Sequence, residues 1–175
     1  MDHSEVVRRF YEGSIQLGVD RPGARGFFTE LGLDQMGDLT GEVPFVECFV
    51  VRGAFWLAPF CLLGSLVSAV LTFHWWALLA DPVVMLLFMY WWGTSPMANR
   101  RLGWSAALLA AAITSSFAST GTYLKLWLIL ACSSFFLIRF TYSAATFMLR
   151  SLVVRNPRAY QLCVGRGIVV VRECP

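Results

Sequence analysis

Charge is scarce through the middle of this chain. Across the 97 residues from Gly53 to Leu149, the only charged side chains are Asp81, Arg100, Arg101, Lys125 and Arg139. No water-soluble domain is surfaced with so little charge. Histidine occurs twice, at His3 and His74, too few and too far apart to nominate a metal site with any cysteine or carboxylate. The five cysteines, Cys48, Cys61, Cys132, Cys163 and Cys174, show no CxxC spacing, and an odd number cannot pair completely. They read as packing residues in a reducing setting, with Cys48 a juxtamembrane candidate for palmitoylation. A phosphate-binding glycine loop, a zinc motif and a nucleophile elbow are all missing. His74 and Asp81 share a turn, which solvation explains better than acid/base chemistry. The chain is therefore read as non-enzymatic and without a cofactor.

What is present is apolar surface: 57% of residues are hydrophobic and 15% aromatic, against 14% charged. A bilayer core about 30 Å thick takes a helix of roughly 20 apolar residues per crossing, and lipid offers backbone amides no partner outside the helix. The predicted fold is an all-α integral membrane protein with four crossings, at about 54–76, 83–97, 102–120 and 123–149. Asp81-Pro82 is read as the turn that opens the second helix, with Asp as cap and Pro in the first turn. Asn99-Arg100-Arg101 is read as a short basic elbow between two helical hairpins. Residues 1–52 and 150–175 flank this region, each too small to hold much of a core.

Basic residues favour the cytoplasmic side of a membrane. Five of them precede the first span, two lie in the elbow and five follow Leu149, whereas only Lys125 falls in an opposite loop. Both termini and the elbow are thus expected to be cytoplasmic. Interfacial aromatics agree, with Trp56 and Trp104 on the inner side and Trp75, Trp76, Tyr123 and Trp127 on the outer. No signal peptide or acid-poor presequence is recognisable, so the first crossing is expected to act as an uncleaved signal anchor. Arginines spread over three segments fit anionic headgroups better than nucleic acid.

In the amino-terminal segment, Ser4 is placed to cap an amphipathic helix over residues 5–16, and a second short helix is predicted over 27–36. Residues 42–52 suit a lead-in to the first membrane helix as well as a strand. The tail carries two β-prone runs around Gly165-Arg166-Gly167, a hairpin signal. A lone hairpin is marginal in water, so it is expected to dock on the amino-terminal segment, for example against 45–51, or to offer its edge to another protein.

Candidate functional or packing residues follow from the spans. Ala107, Ala111, Ser115 and Ser119 form an i, i+4 ladder of small residues, the kind of surface that lets membrane helices approach closely. The ladder makes the third helix the expected inner member of the bundle. Gly64 with Ser68, and Ser65 with Ala69, offer a similar surface on the first. The hydroxyls of Thr114, Ser115, Ser116, Ser119 and Thr120 either line a polar path or bond back to carbonyls one turn earlier. Asp81 and Lys125, the only outer charges, are expected to approach one another.

Arg139 depends on where the fourth span ends. At the bilayer centre it would cost about 2.5 to 3.5 kcal/mol. A span ending near Ile138 avoids that cost by letting the side chain snorkel into the headgroups; that framing is adopted here, with 140–149 continuing beyond the core.

A cytoplasmic lead of about fifty residues, two hairpins split by the Asn99-Arg100-Arg101 elbow and a short tail together resemble the prenylated Rab acceptor family of endomembrane proteins. The resemblance implies a role in vesicle trafficking at the ER or Golgi; in a cell without endomembranes the plasma membrane takes that place. Two functions fit the chain. One is a polytopic scaffold or adaptor, held in the lipid bilayer and binding a protein partner or a second copy through its cytoplasmic ends. The other is a small transporter or channel subunit with a polar path along the third and fourth helices.

Overall fold

The computed structural model describes residues 3–73, 77–93, 98–118 and 121–173. The chain is mostly helical with one small two-stranded antiparallel sheet. It divides into two compact units, Met1–Arg52 with Ala144–Pro175, here called the terminal unit, and Gly53–Ser143, the helical unit.

In the terminal unit, helix α1 (His3–Tyr11) stops where Gly13 adopts φ 74°, a left-handed conformation that costs glycine little. The predicted helix ran on to Gln16. The turn instead sends Ile15 and Gln16 into strand β1 (Ile15–Val19), whose Ile15 and Leu17 are buried on one face while Gln16 is exposed. Asp20 caps helix α2 (Arg21–Glu30) by accepting a 2.8 Å bond from the Gly23 amide, with Pro22 in the first turn. Helix α3 (Leu33–Thr40) ends at Gly41, φ 73°. The single helix predicted over 27–36 is thus two, broken at Leu31-Gly32. The long helix α4 (Phe45–Phe73) starts directly after Pro44, which resolves 42–52 as a lead-in rather than a strand.

The predicted tail hairpin is corrected. Asn156 caps a helix, α8 (Pro157–Gly165), its side-chain oxygen accepting from the Arg158 and Ala159 amides at 3.0 and 3.2 Å, and Pro157 fits the first turn. This start signal overrides the weaker β-preference of the tyrosine, cysteine and valine that follow. Gly167, at φ 68°, then turns the chain into strand β2 (Val169–Glu173). Its partner is β1, in the register Ile15↔Glu173 through Val19↔Val169.

The two ends therefore pool their apolar residues: Val6, Leu17, Phe28, Met36, Val51, Leu149, Leu152, Ala159, Cys163 and Val169 are all buried. Neither end alone has enough of them for a core. Polar bonds stitch the same elements together. Arg52 Nε donates to the Phe28 carbonyl at 2.7 Å and another guanidinium nitrogen to that of Leu31, satisfying carbonyls at the end of α2 with a cation. The Asn156 amide donates to the Thr40 carbonyl at 2.9 Å, joining the end of α3 to the start of α8.

The helical unit contains the rest of α4, then α5 (Ala77–Gly93), α6 (Ala98–Ala118) and the first part of α7 (Thr122–Arg155). Two sequence expectations change here. The Asp81-Pro82 turn is helical: Ala77 to Ala80 are good helix formers that extend α5 upstream, leaving Pro82 to cost one backbone bond. Likewise Asn99 to Arg101 lie inside α6 rather than in an elbow, arginine being a strong helix former. Leu62, Val84 and Ala131 pack together across α4, α5 and α7, as do Ala58, Ile138 and Tyr142 with Phe88 and Leu137.

Among the described residues two helices, α4 and α7, are long and apolar enough to cross a membrane. Only 33% of the apolar stretch of α4 and 28% of that of α7 is buried, unlike a core helix of a soluble protein. These features suggest membrane association. Helix α5, of 17 residues, and the apolar part of α6, Leu102–Phe117, are shorter, so helix length does not establish the predicted four crossings.

Candidate functional site

Arg139 is fully buried, at 0% exposure the largest enclosed side chain among the described residues. Its neighbours on α7, Ile138, Thr141 and Tyr142, are buried as well. The snorkelling position predicted for Arg139 is thereby corrected: the residue sits on the packed stripe of α7 that carries Ala131, Ser134, Ile138 and Tyr142, not on its exposed side. It is not a free charge, because the residue has an interaction partner in the structure. A charge enclosed this way survives only when bonded.

The small-residue ladder of α6 is also placed differently. Ala107, Ala111 and Ser115 are exposed, as are Ala106, Ala110 and Thr114, and the buried positions are Ser105 and Ala112. Ser119 lies outside the described residues. Helix α4 instead turns its small residues inward. Ser65, Ser68 and Ala69 are buried, and a Cβ on Gly64 would come within 3.0 Å of Leu130 on α7. The hydroxyls of Thr114, Ser115 and Ser116 bond back to the carbonyls of Ala111, Ala112 and Ile113 at 3.0, 3.0 and 2.6 Å. Ser65 and Ser134 bond their own helices at 2.7 Å in the same way. These groups are satisfied locally, as helical hydroxyls often are.

Lys125 is half-buried on α7. The side chains of Asp81, Arg100 and Arg101 lie outside the described residues, and with them the approach of Asp81 to Lys125. His74, Trp75, Trp76 and Cys174 lie outside them too. Cys48 is buried with its sulfur 3.2 Å from that of Met36. Burial raises its thiol pKa, with Arg52 opposing and Glu47 adding. Its enclosure leaves no access for an acyl donor, which corrects the palmitoylation reading. Burial pushes the Cys163 thiol up to about 11, against a lowering by Arg166.

A feature that linear reading missed is a groove of about 670 Å³ in the terminal unit, between α1 and the last turns of α7. Val7, Phe10, Phe147 and Val154 give it apolar walls, Tyr11 flanks it, and Arg150, Ser151 and Arg155 supply its polar groups. Tyr11 and Phe147 are 76% and 73% exposed, so two large rings stand open to the surroundings. Arg155 is held by Glu42 and Glu47 at 3.1 and 3.2 Å, whereas Arg150 has no ion pair among the described residues. The signal was split between an amphipathic helix at residue 7 and an arginine at 150, and nothing in the linear chain joins them.

No family model, curated protein or solved structure matches the chain, so the resemblance to the prenylated Rab acceptor family rests on the order of its apolar and basic segments alone.

Proposed function

We propose that this protein is a non-enzymatic polytopic membrane scaffold or adaptor, whose helical unit crosses the bilayer and whose terminal unit faces the cytoplasm and holds a partner. The observation that carries the reading is that the two chain ends close on one another through β1 and β2 into a unit with its own core. Such a unit is a rigid recruiting surface rather than a pair of loose tails. Exposed Phe60, Leu63, Val67, Leu86, Trp104, Leu108 and Phe117 support burial of the helical unit in lipid, because a monomer in water rarely shows so much apolar surface. In this reading α5 and α6 complete two hairpins and the termini share the cytoplasmic side, on an endomembrane in a eukaryote and on the plasma membrane otherwise. Trafficking is the process that the layout best suits.

Photo-crosslinkers placed at exposed Leu39 and Val43, used in native membranes, test the proposal. A discrete protein adduct from either site is expected. Adducts with lipid alone at both positions would reject the adaptor role.

One observation favours the transporter reading. Arg139, enclosed among helices, is the kind of intramembrane charge that marks substrate or ion paths. The hydroxyls of α6, each bonded to its own helix, weigh against a continuous polar path.

A further inference from the structure

The α1/α7 groove combines apolar walls with arginine and has no acidic residue in its lining. An occupant should therefore carry a negative charge beside a hydrocarbon portion. Two smaller hollows, of about 380 and 360 Å³, differ because each contains an acid, Asp38 or Glu30, next to Arg166. In the large groove Arg155 is already neutralised by Glu42 and Glu47, which leaves Arg150 as the cation open to a ligand. The volume falls in the range of small-molecule sites, roughly 300 to 1,000 Å³.

Depth along α7 narrows the choice. If the crossing begins at Tyr123, about 20 residues of 1.5 Å rise carry the helix through the hydrocarbon core to about Tyr142. Phe147 then lies about 7 Å and Arg150 about 12 Å beyond the core edge. Helical side chains lean back toward the helix N-terminus, which on α7 brings the Arg150 guanidinium back toward the phosphate layer. Helix α1 adds an amphipathic face with Arg8 and Arg9 beside Val7 and Phe10, as interfacial helices do.

We propose that this groove binds one anionic phospholipid of the adjoining leaflet, its phosphate on Arg150 and the first part of its acyl chains against Phe10, Phe147 and Val154. The proposal rests on the membrane reading given above. Phosphatidylserine or phosphatidylglycerol is preferred over phosphatidylcholine, because the choline cation offsets the phosphate and adds a positive charge near Arg150. The phosphate is that of a lipid rather than of a free anion, since the apolar walls would otherwise stay uncovered.

The test is native mass spectrometry of the full chain in detergent, with equimolar phosphatidylserine and phosphatidylcholine of matched chains. The expected result is one retained phosphatidylserine with a preference of about fivefold, the scale of one interfacial arginine. Arg150→Gln should abolish that preference and Arg150→Lys keep most of it. Arg158→Gln, an equal loss of charge at an exposed site outside the groove, should leave it intact. Phe147→Ser should weaken retention of both lipids alike. No preference in the unmodified protein would overturn the site, as would equal losses in Arg150→Gln and Arg158→Gln, which mean diffuse attraction. Displacement of the lipid by millimolar inorganic phosphate would overturn it in favour of a free-anion site. Displacement by an acidic amphipathic peptide would do so in favour of a protein-docking groove. Crosslinks to a protein from Val43 without lipid preference would remove the lipid site and leave the adaptor standing; the opposite pattern would remove the adaptor and leave the lipid site.

Discussion

Asn156 joins the end of α3 to the start of α8 with one side chain, so its removal is a sharp test of how the terminal unit is held together. In Asn156→Ala the amides of Arg158 and Ala159 lose their cap, which costs about 0.5 to 2 kcal/mol. The Thr40 carbonyl also loses its 2.9 Å donor in a buried setting, which costs about a further 1 to 3 kcal/mol. Together about 1.5 to 5 kcal/mol is expected, or roughly a 10- to 5,000-fold change in local opening. Asn156→Ser separates the two parts, since serine still caps a helix but no longer donates to Thr40; about half the loss should remain. Amide hydrogen exchange on the full chain in nanodiscs reads this directly. The amides of α8 and β2 should exchange faster, with little change in α5. Equal, small effects of both variants, below about 0.5 kcal/mol, would refute the assignment of Asn156 as the joint between α3 and α8.

The remaining predictions concern packing, charge and topology. Gly64→Leu should lower thermal stability in detergent by about 1 to 3 kcal/mol, because its side chain meets Leu130, while Ala111→Leu on the exposed face of α6 should stay within about 0.5 kcal/mol. Arg139→Lys should destabilise by about 1 to 3 kcal/mol, since lysine cannot reproduce the planar fork of an enclosed guanidinium; a silent Arg139→Lys in a melting assay would mean that the side chain reaches headgroups after all. The raised thiol pKa of Cys163 means that its protonated form stabilises the fold, fully below the ordinary value of 9.0 and progressively less as pH rises toward about 11. Denaturation across that window should show about 2 to 3 kcal/mol more loss in the unmodified protein than in Cys163→Ala, at 1.36 kcal/mol per pH unit. With native cysteines replaced, Gly121→Cys should react with an impermeant reagent from outside and Glu12→Cys only after permeabilisation, and labelling of both from one side would reject the topology.

Much of the helical framework was legible because it depends on local composition. The scarcity of charge from Gly53 onward and the apolar runs marked α4 and α7, whereas the start of α2 at Arg21 behind the Asp20 cap was missed, the helix being expected only from residue 27. The errors have physical causes. Pro82 and the Arg100-Arg101 pair were read as punctuation, although a helix can carry an interior proline at the cost of one backbone bond and arginine favours helix. The tail hairpin gave too much weight to β-propensity and too little to Asn156-Pro157. The ladder on α6 was read as an inward face because spacing defines a stripe without saying which neighbour it meets. Arg139 was placed by energetic economy, which cannot foresee that packing surrounds the side chain. The groove was out of reach altogether, since residues 7–11 and 147–155 meet only in three dimensions.

The pairing of residues 15–19 with 169–173 sets an order of events during synthesis. At about 5 to 20 residues per second, β1 is made roughly 8 to 30 s before its partner exists. Throughout that interval its backbone donors and acceptors form an open edge, able to capture any extended segment nearby. A protein cut short before Val169 would keep that edge open. The second strand thus closes an edge that the first leaves open until residues 169–173 are made.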